Sequence, residues 1–368
     1  MSQDLASAKS SLHWEAIMKH YIIPIFIPHY GCTHACVFCN QQKITGHIMP
    51  VVAQEVAGII NEHLTRITEE RHIEVAFYGG SFTALDIKVQ SELLSPAYQA
   101  LQQGRIHGIR LSTRPDCIDE IIVQNLIAFG VSTIELGVQS LDNEVLLASA
   151  RGHSATHVIQ AVHLIKKMGL QCGIQLMPGL PGEDWPSLIA TTQGVIKLAP
   201  DFVRIYPTIV IAHTQLAKMY DGGSYTPLSL AAGVARAAFI KIMFAEHGIQ
   251  VIRTGLQATE ELGNRHVVLA GPYHPAFGEM VDSYLFYLML VHAVDSLGAG
   301  KKGSLVIHHH SRDTSKLRGM KNSNIKKLQS IYNISPLILQ ADGQKLDELM
   351  IEYQNVCYII NIKMLFHI

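Results

Sequence analysis

The sequence predicts an α/β fold: a partial (β/α)6 TIM-like barrel with a C-terminal α+β extension. Three observations predict it. Six short apolar segments alternate with stretches of helical periodicity, the pattern of parallel β-α units. Three of the helical stretches run out at a glycine just before the next strand, at Gly104, Gly130 and Gly169. The chemically unusual residues gather behind the strands, at the C-terminal ends where barrels of this kind build their sites.

The first strand, Ile22–Pro28, leads directly into Cys32, Cys36 and Cys39. A helix over Val52–Glu70 precedes the second strand, Glu74–Gly79, which opens into Gly79-Gly80-Ser81-Phe82-Thr83. After a helix over Val89–Gln102, the third strand, Gly108–Thr113, ends in Ser112-Thr113-Arg114-Pro115-Asp116. A helix over Asp119–Phe129 and a strand over Thr133–Val138 lead to Gln139-Ser140-Leu141-Asp142, with Arg151 twelve residues past Gln139. A helix over Thr156–Met168 and a strand over Gln171–Met177 lead to Pro178-Gly179-Leu180-Pro181-Gly182. The sixth unit is a helix over Trp185–Leu198 and a strand over Asp201–Pro207.

Beyond about Ile211 the alternation stops. A helix over Ser229–His247, a strand-like Gln250–Leu256, a turn-rich loop Gly271–Gly278 and an apolar helix Glu279–Leu297 follow. The stretch Lys301–Lys327 reads as a basic tail, with eight Lys or Arg against one Asp. The expected division is an N-terminal segment, 1–21, a core barrel, 22–215, and an α+β extension covering it, 216–368.

Composition narrows the function. Of 368 residues 48% are hydrophobic and 16% charged, enough for a sizeable core. A net charge of -1 excludes a whole-protein attraction to nucleic acid and leaves only a local patch. Six cysteines in this length do not make a disulfide framework. The first apolar stretch, Ile22–Ile27, is broken by Pro24 and is no signal peptide, and the run Tyr284–Val291 is too short to span a bilayer. A reducing cytoplasm, with no membrane partner, is the consistent compartment.

The cysteines carry the chemistry. Their spacing is C-x3-C-x2-C, and three thiolates on one tight loop hold three irons of a 4Fe-4S cluster. The fourth iron is then open to a ligand. The alternative is a zinc site completed by His34, but structural zinc sites pair two such hooks. Cys117, Cys172 and Cys357 stand alone in sequence. Cys117 reads as a buried structural thiol before it reads as a hydrogen-atom donor. His29 and His34 flank the loop. Gly79-Gly80 permits close backbone approach, in a ligand site or in a plain strand-to-helix turn. Ser81, Thr83, Ser112 and Thr113 offer hydroxyls, either to a ligand or to the strand ends. Arg151 can grip a carboxylate, with Gln139 as an amide partner, or lie on the surface.

The cysteine loop, with an aromatic residue, Phe38, between its last two thiols, resembles that of radical S-adenosylmethionine (radical SAM) enzymes. The resemblance runs on through Tyr78-Gly79-Gly80-Ser81-Phe82-Thr83, Ser112-Thr113-Arg114-Pro115-Asp116, Glu135-Leu136-Gly137-Val138-Gln139-Ser140, Arg151-Gly152-His153 and Val203-Arg204-Ile205-Tyr206-Pro207-Thr208. Together these are similar to the radical SAM half of the Elongator catalytic subunit and, more distantly, to oxygen-independent coproporphyrinogen III oxidase. It covers about Ile22 to Leu256. The roughly 110 residues that follow show no glycine-rich pyrophosphate loop, so the chain reads as a stand-alone bacterial relative without the acetyltransferase domain.

The resemblance implies two cofactors, a 4Fe-4S cluster on Cys32, Cys36 and Cys39 and S-adenosylmethionine on the open iron. It implies that Gly79-Gly80 meets the amino group of SAM, that Gln139 and Arg151 grip its carboxylate, and that Phe38 and the Met177 segment lie by adenine. The expected function is reductive SAM cleavage to a 5′-deoxyadenosyl radical, which abstracts hydrogen from a substrate, either tRNA or a small molecule. The electron would come from an external donor of the flavodoxin or ferredoxin type. The alternative is a cluster-bearing RNA-binding or sensor protein without turnover.

Overall fold

A computed structural model describes residues 19–27, 34–40, 51–298, 304–335 and 337–367. Its strands β1 (His20–Ile27), β2 (His72–Gly79), β3 (Gly108–Thr113), β4 (Val131–Gln139), β5 (Gln171–Leu176) and β6 (Phe202–Ile205) are the six read from the sequence. Between them run α1 (Ala53–Arg66), α2 (Ile87–Gln102), α3 (Glu120–Ala128), α4 (Asn143–Ala148), α5 (Ala155–Lys167) and α6 (Trp185–Leu198). Aspartates start several of these helices by accepting orphan backbone N–H groups: Asp119 from Ile122, Asp142 from Glu144 and Val145, and Asp184 from Ser187. The three glycines expected to stop helices do so, each with a left-handed φ.

The chain continues through β7 (Val210–Ile211), α7 (Gln215–Asp221), α8 (Leu230–Glu246) and β8 (Gln250–Thr254). Seven parallel strands bond in the order β1-β2-β3-β4-β5-β6-β8, an open β/α barrel topology with β1 and β8 as its end strands among the described residues. The sequence counted six. The seventh, β8, falls within Gln250–Leu256, read from the sequence as strand-like but placed in the extension, because its side chains are exposed or half-buried throughout and lack the apolar signature of a buried parallel strand. End strand β1 holds Pro24 in register with Ala76.

The chain forms two compact units: residues up to Val138 with Ala150–Gln175, and Gln139–Ser149 with Leu176 onward. In the first unit the two faces of the sheet differ. Ile73, Val75 and Phe77 on β2, Ile109 and Leu111 on β3, and Ile134 and Leu136 on β4 are all buried and share one face by alternation. Each such side chain removed from water is worth about 1.5–3 kcal/mol. The opposite face is buried but charged. Arg110 bridges Glu74 and Glu135, at 3.0 Å to each, and the Tyr78 hydroxyl donates to Glu135 at 3.3 Å. Buried charge is tolerated there because every member is paired.

In the second unit β9 (Val268–Ala270) runs antiparallel to β7, and α9 (Phe277–Ser296) packs on α8. The loop expected over Gly271–Gly278 is present, with its last two residues already in α9. β10 (Leu305–His310), α10 (Thr314–Arg318), α11 (Ser323–Tyr332), β11 (Leu337–Asp342), β12 (Glu348–Tyr353) and β13 (Val356–Asn361) complete the α+β extension, its strands ordered β11-β10-β12-β13. The basic stretch is therefore no tail where it is described. Lys316 bonds Asp313 at 2.9 Å and Asp347 at 2.6 Å and lies over the Phe286 ring. Those aspartates outweigh the burial that pulls the Lys316 ammonium down, and hold it above its ordinary range. Arg312, Arg318, Lys321, Lys326 and Lys327 remain exposed, while Lys301 and Lys302 lie outside the described residues. No helix among the described residues is long and apolar enough to cross a membrane.

Candidate active site

Cys32 lies outside the described residues. Cys36 and Cys39 frame one tight turn, in which the Cys39 N–H donates to the Cys36 carbonyl at 3.1 Å. Val37 is buried beneath the turn, and Cys36, Phe38 and Cys39 are half-buried. Two thiols thus stand on one short turn, the sequence-local arrangement that a cluster ligand set uses.

Gly79 ends β2 with φ +106°, and a Cβ there would stand 2.8 Å from the Ile27 carbonyl oxygen. The next residue, Gly80, donates its N–H to that oxygen at 2.7 Å. The glycine at 79 is therefore required by β1 itself, at the point where the chain departs toward the cysteines. The close approach inferred from the sequence is real, and the neighbour it serves is backbone.

Arg151 is buried, and its two terminal nitrogens are spent on the cysteine loop and the end of β4. Nη1 donates to Cys36 Sγ at 3.0 Å and Nη2 to the Gly137 carbonyl at 2.6 Å. The guanidinium carbon sits 5.8 Å from the centre of the Phe38 ring, within reach of a cation–π contact. Its Nε is buried with no partner among the described residues, and no carboxylate there pairs with it. Arg151 is no surface residue. The fold brings it to Cys36 and Phe38 from more than a hundred residues away, which sequence spacing alone could not establish.

Sequence reasoning gave no role to three neighbours of Arg151. Arg114 is buried and binds Asp116 through Nε–Oδ1 and Nη2–Oδ2, both 2.9 Å, and Nη2 also donates to the Arg151 carbonyl. Burial alone would lower the Arg114 guanidinium, but the Asp116 bonds and charge outweigh it and raise it. Burial likewise pushes Asp116 up, and Arg114 holds it below the usual carboxylate range. His153 is driven down to about 3 by burial, then by Arg151 and Arg114, so it is neutral near pH 7. Its Nε2 lies 3.2 Å from the Val138 carbonyl, which can only accept. The proton is therefore on Nε2, and Nδ1 keeps a buried lone pair without a partner among the described residues. The signal for Arg114 was present in the sequence as an Arg two residues before an Asp at a strand end. Gly152 completes the arrangement with φ +73°, since a Cβ there would fall 2.2 Å from the His34 ring.

The hydroxyls sort by face. Thr83 and Thr113 are buried and bond each other at 2.6 Å, so they join the loop after β2 to the end of β3. Ser112 is half-buried and points to the opposite face, which carries Arg110. Ser81 is buried at the start of the turn, and its carbonyl accepts the Ala84 N–H. Cys117 is half-buried just past β3, Cys172 is fully buried on β5 and Cys357 is exposed.

In the second unit Gln139 is buried with φ +70°, rare for a side chain of its size, and its carbonyl accepts the Met177 N–H at 3.0 Å. Met177 is half-buried. The following loop is closed by Glu183, which takes the Gly179 N–H at 2.7 Å and pairs with Arg236. The Tyr225 hydroxyl donates to the Gly179 carbonyl at 2.7 Å. Burial pushes Glu183 up to about 7 against those partners.

The residues present fit a cluster better than a zinc ion. His34 is directed to Arg114, 3.5 Å away, and to Gly152, and among the described residues no third ligand joins Cys36 and Cys39. The unspent Arg151 charge beside a thiol suits an anionic cluster and a carboxylate.

This fold and this thiol–arginine site define a class of cluster- and SAM-dependent enzymes. Residues 26–193 match the Radical SAM superfamily and residues 200–286 match the Radical_SAM C-terminal domain, and the chain belongs to the radical SAM superfamily, as an enzyme of that class. A tRNA uridine(34) acetyltransferase from Dehalococcoides mccartyi (strain CBDB1) is 32% identical over 175 residues, 42% of this chain and 38% of its own length. Elongator complex protein 3 from Homo sapiens is 32% identical over 187 residues, 45% of this chain and 34% of its own length. The chain therefore spans less than two fifths of these relatives. The solved structure of the archaeal Methanocaldococcus infernus Elp3 with an N-terminal deletion shares the fold, with a TM-score of 0.59 at 22% identity over 77% of this chain and 64% of that one.

Proposed function

We propose that this chain holds a 4Fe-4S cluster on Cys32, Cys36 and Cys39 with S-adenosylmethionine beside it. When bound, the pair supplies one-electron cleavage of the sulfonium to methionine and a 5′-deoxyadenosyl radical that takes hydrogen from a substrate. The observation that carries the reading is Arg151, buried against Cys36 and Phe38 with its charge unspent on any described carboxylate.

In this reading Arg151 orients the SAM carboxylate, and the amide of Gln139 is its second partner. Arg114 and Asp116 hold the Arg151 backbone in place. Phe38 and Met177 flank adenine. The backbone at Gly79, Gly80 and Ser81 meets the methionine amino group. Ser112 is the better candidate for a direct hydrogen bond, while the mutual bond of Thr83 and Thr113 favours shaping the loop. Residues 22–215 act as the catalytic core, 216–368 as its extension and 1–21 as an N-terminal segment.

The electron comes from an external flavodoxin- or ferredoxin-type donor in a reducing, cytoplasmic compartment. The relatives named as tRNA uridine(34) acetyltransferases favour tRNA as the substrate class, with a small molecule as the second reading. Anaerobic reconstitution with SAM and reductant, followed by 5′-deoxyadenosine release with RNA or metabolite fractions added, tests both. A cluster that forms while 5′-deoxyadenosine never appears would favour the sensor reading. Reversal of Arg318, Lys321, Lys326 and Lys327 to Glu should abolish salt-dependent RNA binding while uncoupled SAM cleavage survives. Lys316 is left intact because it pairs with Asp313 and Asp347.

A further inference from the structure

A second group of ligating side chains lies at the other end of the first two strands. His20 opens β1 and His72 opens β2, and the two are register partners. Alternation along β2 puts Glu74 on the face of His72. One ligand atom from each of His20, His72 and Glu74 falls within 4.8 Å of the others. The His20 and His72 rings are 4.6 Å apart, and His107 lies 4.9 Å from His72, fixed by the Ile73 N–H donating to its Nδ1 at 3.0 Å.

Burial is graded across the group: His20 is exposed, His72 half-buried and Glu74 buried. An ion from solvent would meet the exposed imidazole first and the carboxylate last. Behind it lie two carboxylates, Glu74 and Glu135, each 3.0 Å from the guanidinium of Arg110. Two imidazoles and a carboxylate are the donor set of a zinc-class ion that keeps one position for water. Bonds of about 2.1 Å need ligand atoms roughly 3.4 Å apart, and His20 Nδ1 already stands 4.0 Å from Glu74 Oε2.

We propose that His20, His72 and Glu74 bind a divalent ion of the zinc class and tie β1 to β2. Seven residue steps of about 3.3 Å put this site roughly 23 Å from the Gly79 end of β2, so it is independent of the cysteine loop. The proposal does not rest on the radical SAM reading.

The test is calorimetric titration of the full-length, anaerobically isolated protein with zinc chloride, after loosely bound metal has been removed. Zinc and iron are counted separately by mass spectrometry. Saturable binding of zinc should survive a Cys32/Cys36/Cys39→Ser triple variant. It should weaken at least about tenfold in His20→Gln and again in His72→Gln. His20→Gln is decisive because the side chain is exposed and its loss does not threaten folding, which circular dichroism checks. Absence of saturable zinc binding, binding unchanged in both histidine variants, or binding lost only in the cysteine variant would each overturn the assignment.

Discussion

The loops at 150–153 and 178–183 use the same parts to different ends. Each sets an arginine against an aromatic ring: buried Arg151 at 5.8 Å from Phe38, half-buried Arg236 at 5.5 Å from Trp185. Arg236 is closed. Its partner Glu183 also accepts the Gly179 N–H, so charge and backbone are both satisfied. Arg151 is open, with a thiol, a carbonyl and an unpartnered Nε where a carboxylate would be. Arg114, with its own carboxylate in Asp116, is closed as well and lies beside it. An arginine that completes its pairing holds a loop. One left incomplete beside a thiol is, in the reading proposed above, kept for a ligand carboxylate.

If that contrast is right, changes at the open site should alter cofactor chemistry and changes at the closed one should alter stability. The largest effect belongs to the thiols. Cys36→Ala or Cys39→Ala should abolish cluster assembly, read as iron and sulfide content and the charge-transfer absorbance, while a Cys117/Cys172/Cys357 triple variant should keep it. Next is the closed arginine. Arg236→Ala strands the buried Glu183 and should cost about 3 kcal/mol in denaturant unfolding. Because the Glu183 carboxyl lies near 7, well above its unfolded value, that loss should be smaller at about pH 6, where it takes a proton, than at about pH 8.

Arg151→Ala should lower SAM affinity by roughly 1.5–3 kcal/mol with the cluster spectrum intact, the scale of a charge-assisted hydrogen bond. Unchanged affinity in a calorimetric titration would erase the distinction between the two loops. The smallest effect concerns His153, whose folded value is about 3. The unfolded chain binds its proton below about 6.5 and the folded chain does not, so stability should fall as pH drops through that window. The slope approaches about 1.4 kcal/mol per pH unit at most, and His153→Gln should flatten it in paired unfolding curves at about pH 7 and 5.5.

The sequence carried the alternation well because parallel strands buried on both faces and glycine-stopped helices leave strong local marks. It carried the thiols because their spacing is local. It marked β8 as strand-like but not as a barrel strand, because its side chains are exposed or half-buried, and it did not carry the fold of 305–332, where charge hid a strand and two helices. Arg151 was legible as a candidate, but its contact with Cys36 is a tertiary fact. Arg114 left a local signal in its spacing from Asp116, whereas the neutral state of His153 depends on burial and on its neighbours Arg151 and Arg114. The glycine at 79 was read as permitting close backbone approach, in a ligand site or in a plain turn, and the approach the structure shows is that of Ile27.

Pro24 has a consequence for the chain outside any reaction. It sits within β1, the strand at one end of the sheet among the described residues. A strand in that place offers a row of backbone donors and acceptors to any other extended chain. A residue with no N–H breaks the row and cannot be copied by an incoming strand. Replacing it with valine would leave the barrel's own register in place and give a continuous apolar run from Ile22 to Ile27. Such a chain would be expected to fold and then to precipitate, edge against edge, at concentrations the natural sequence tolerates.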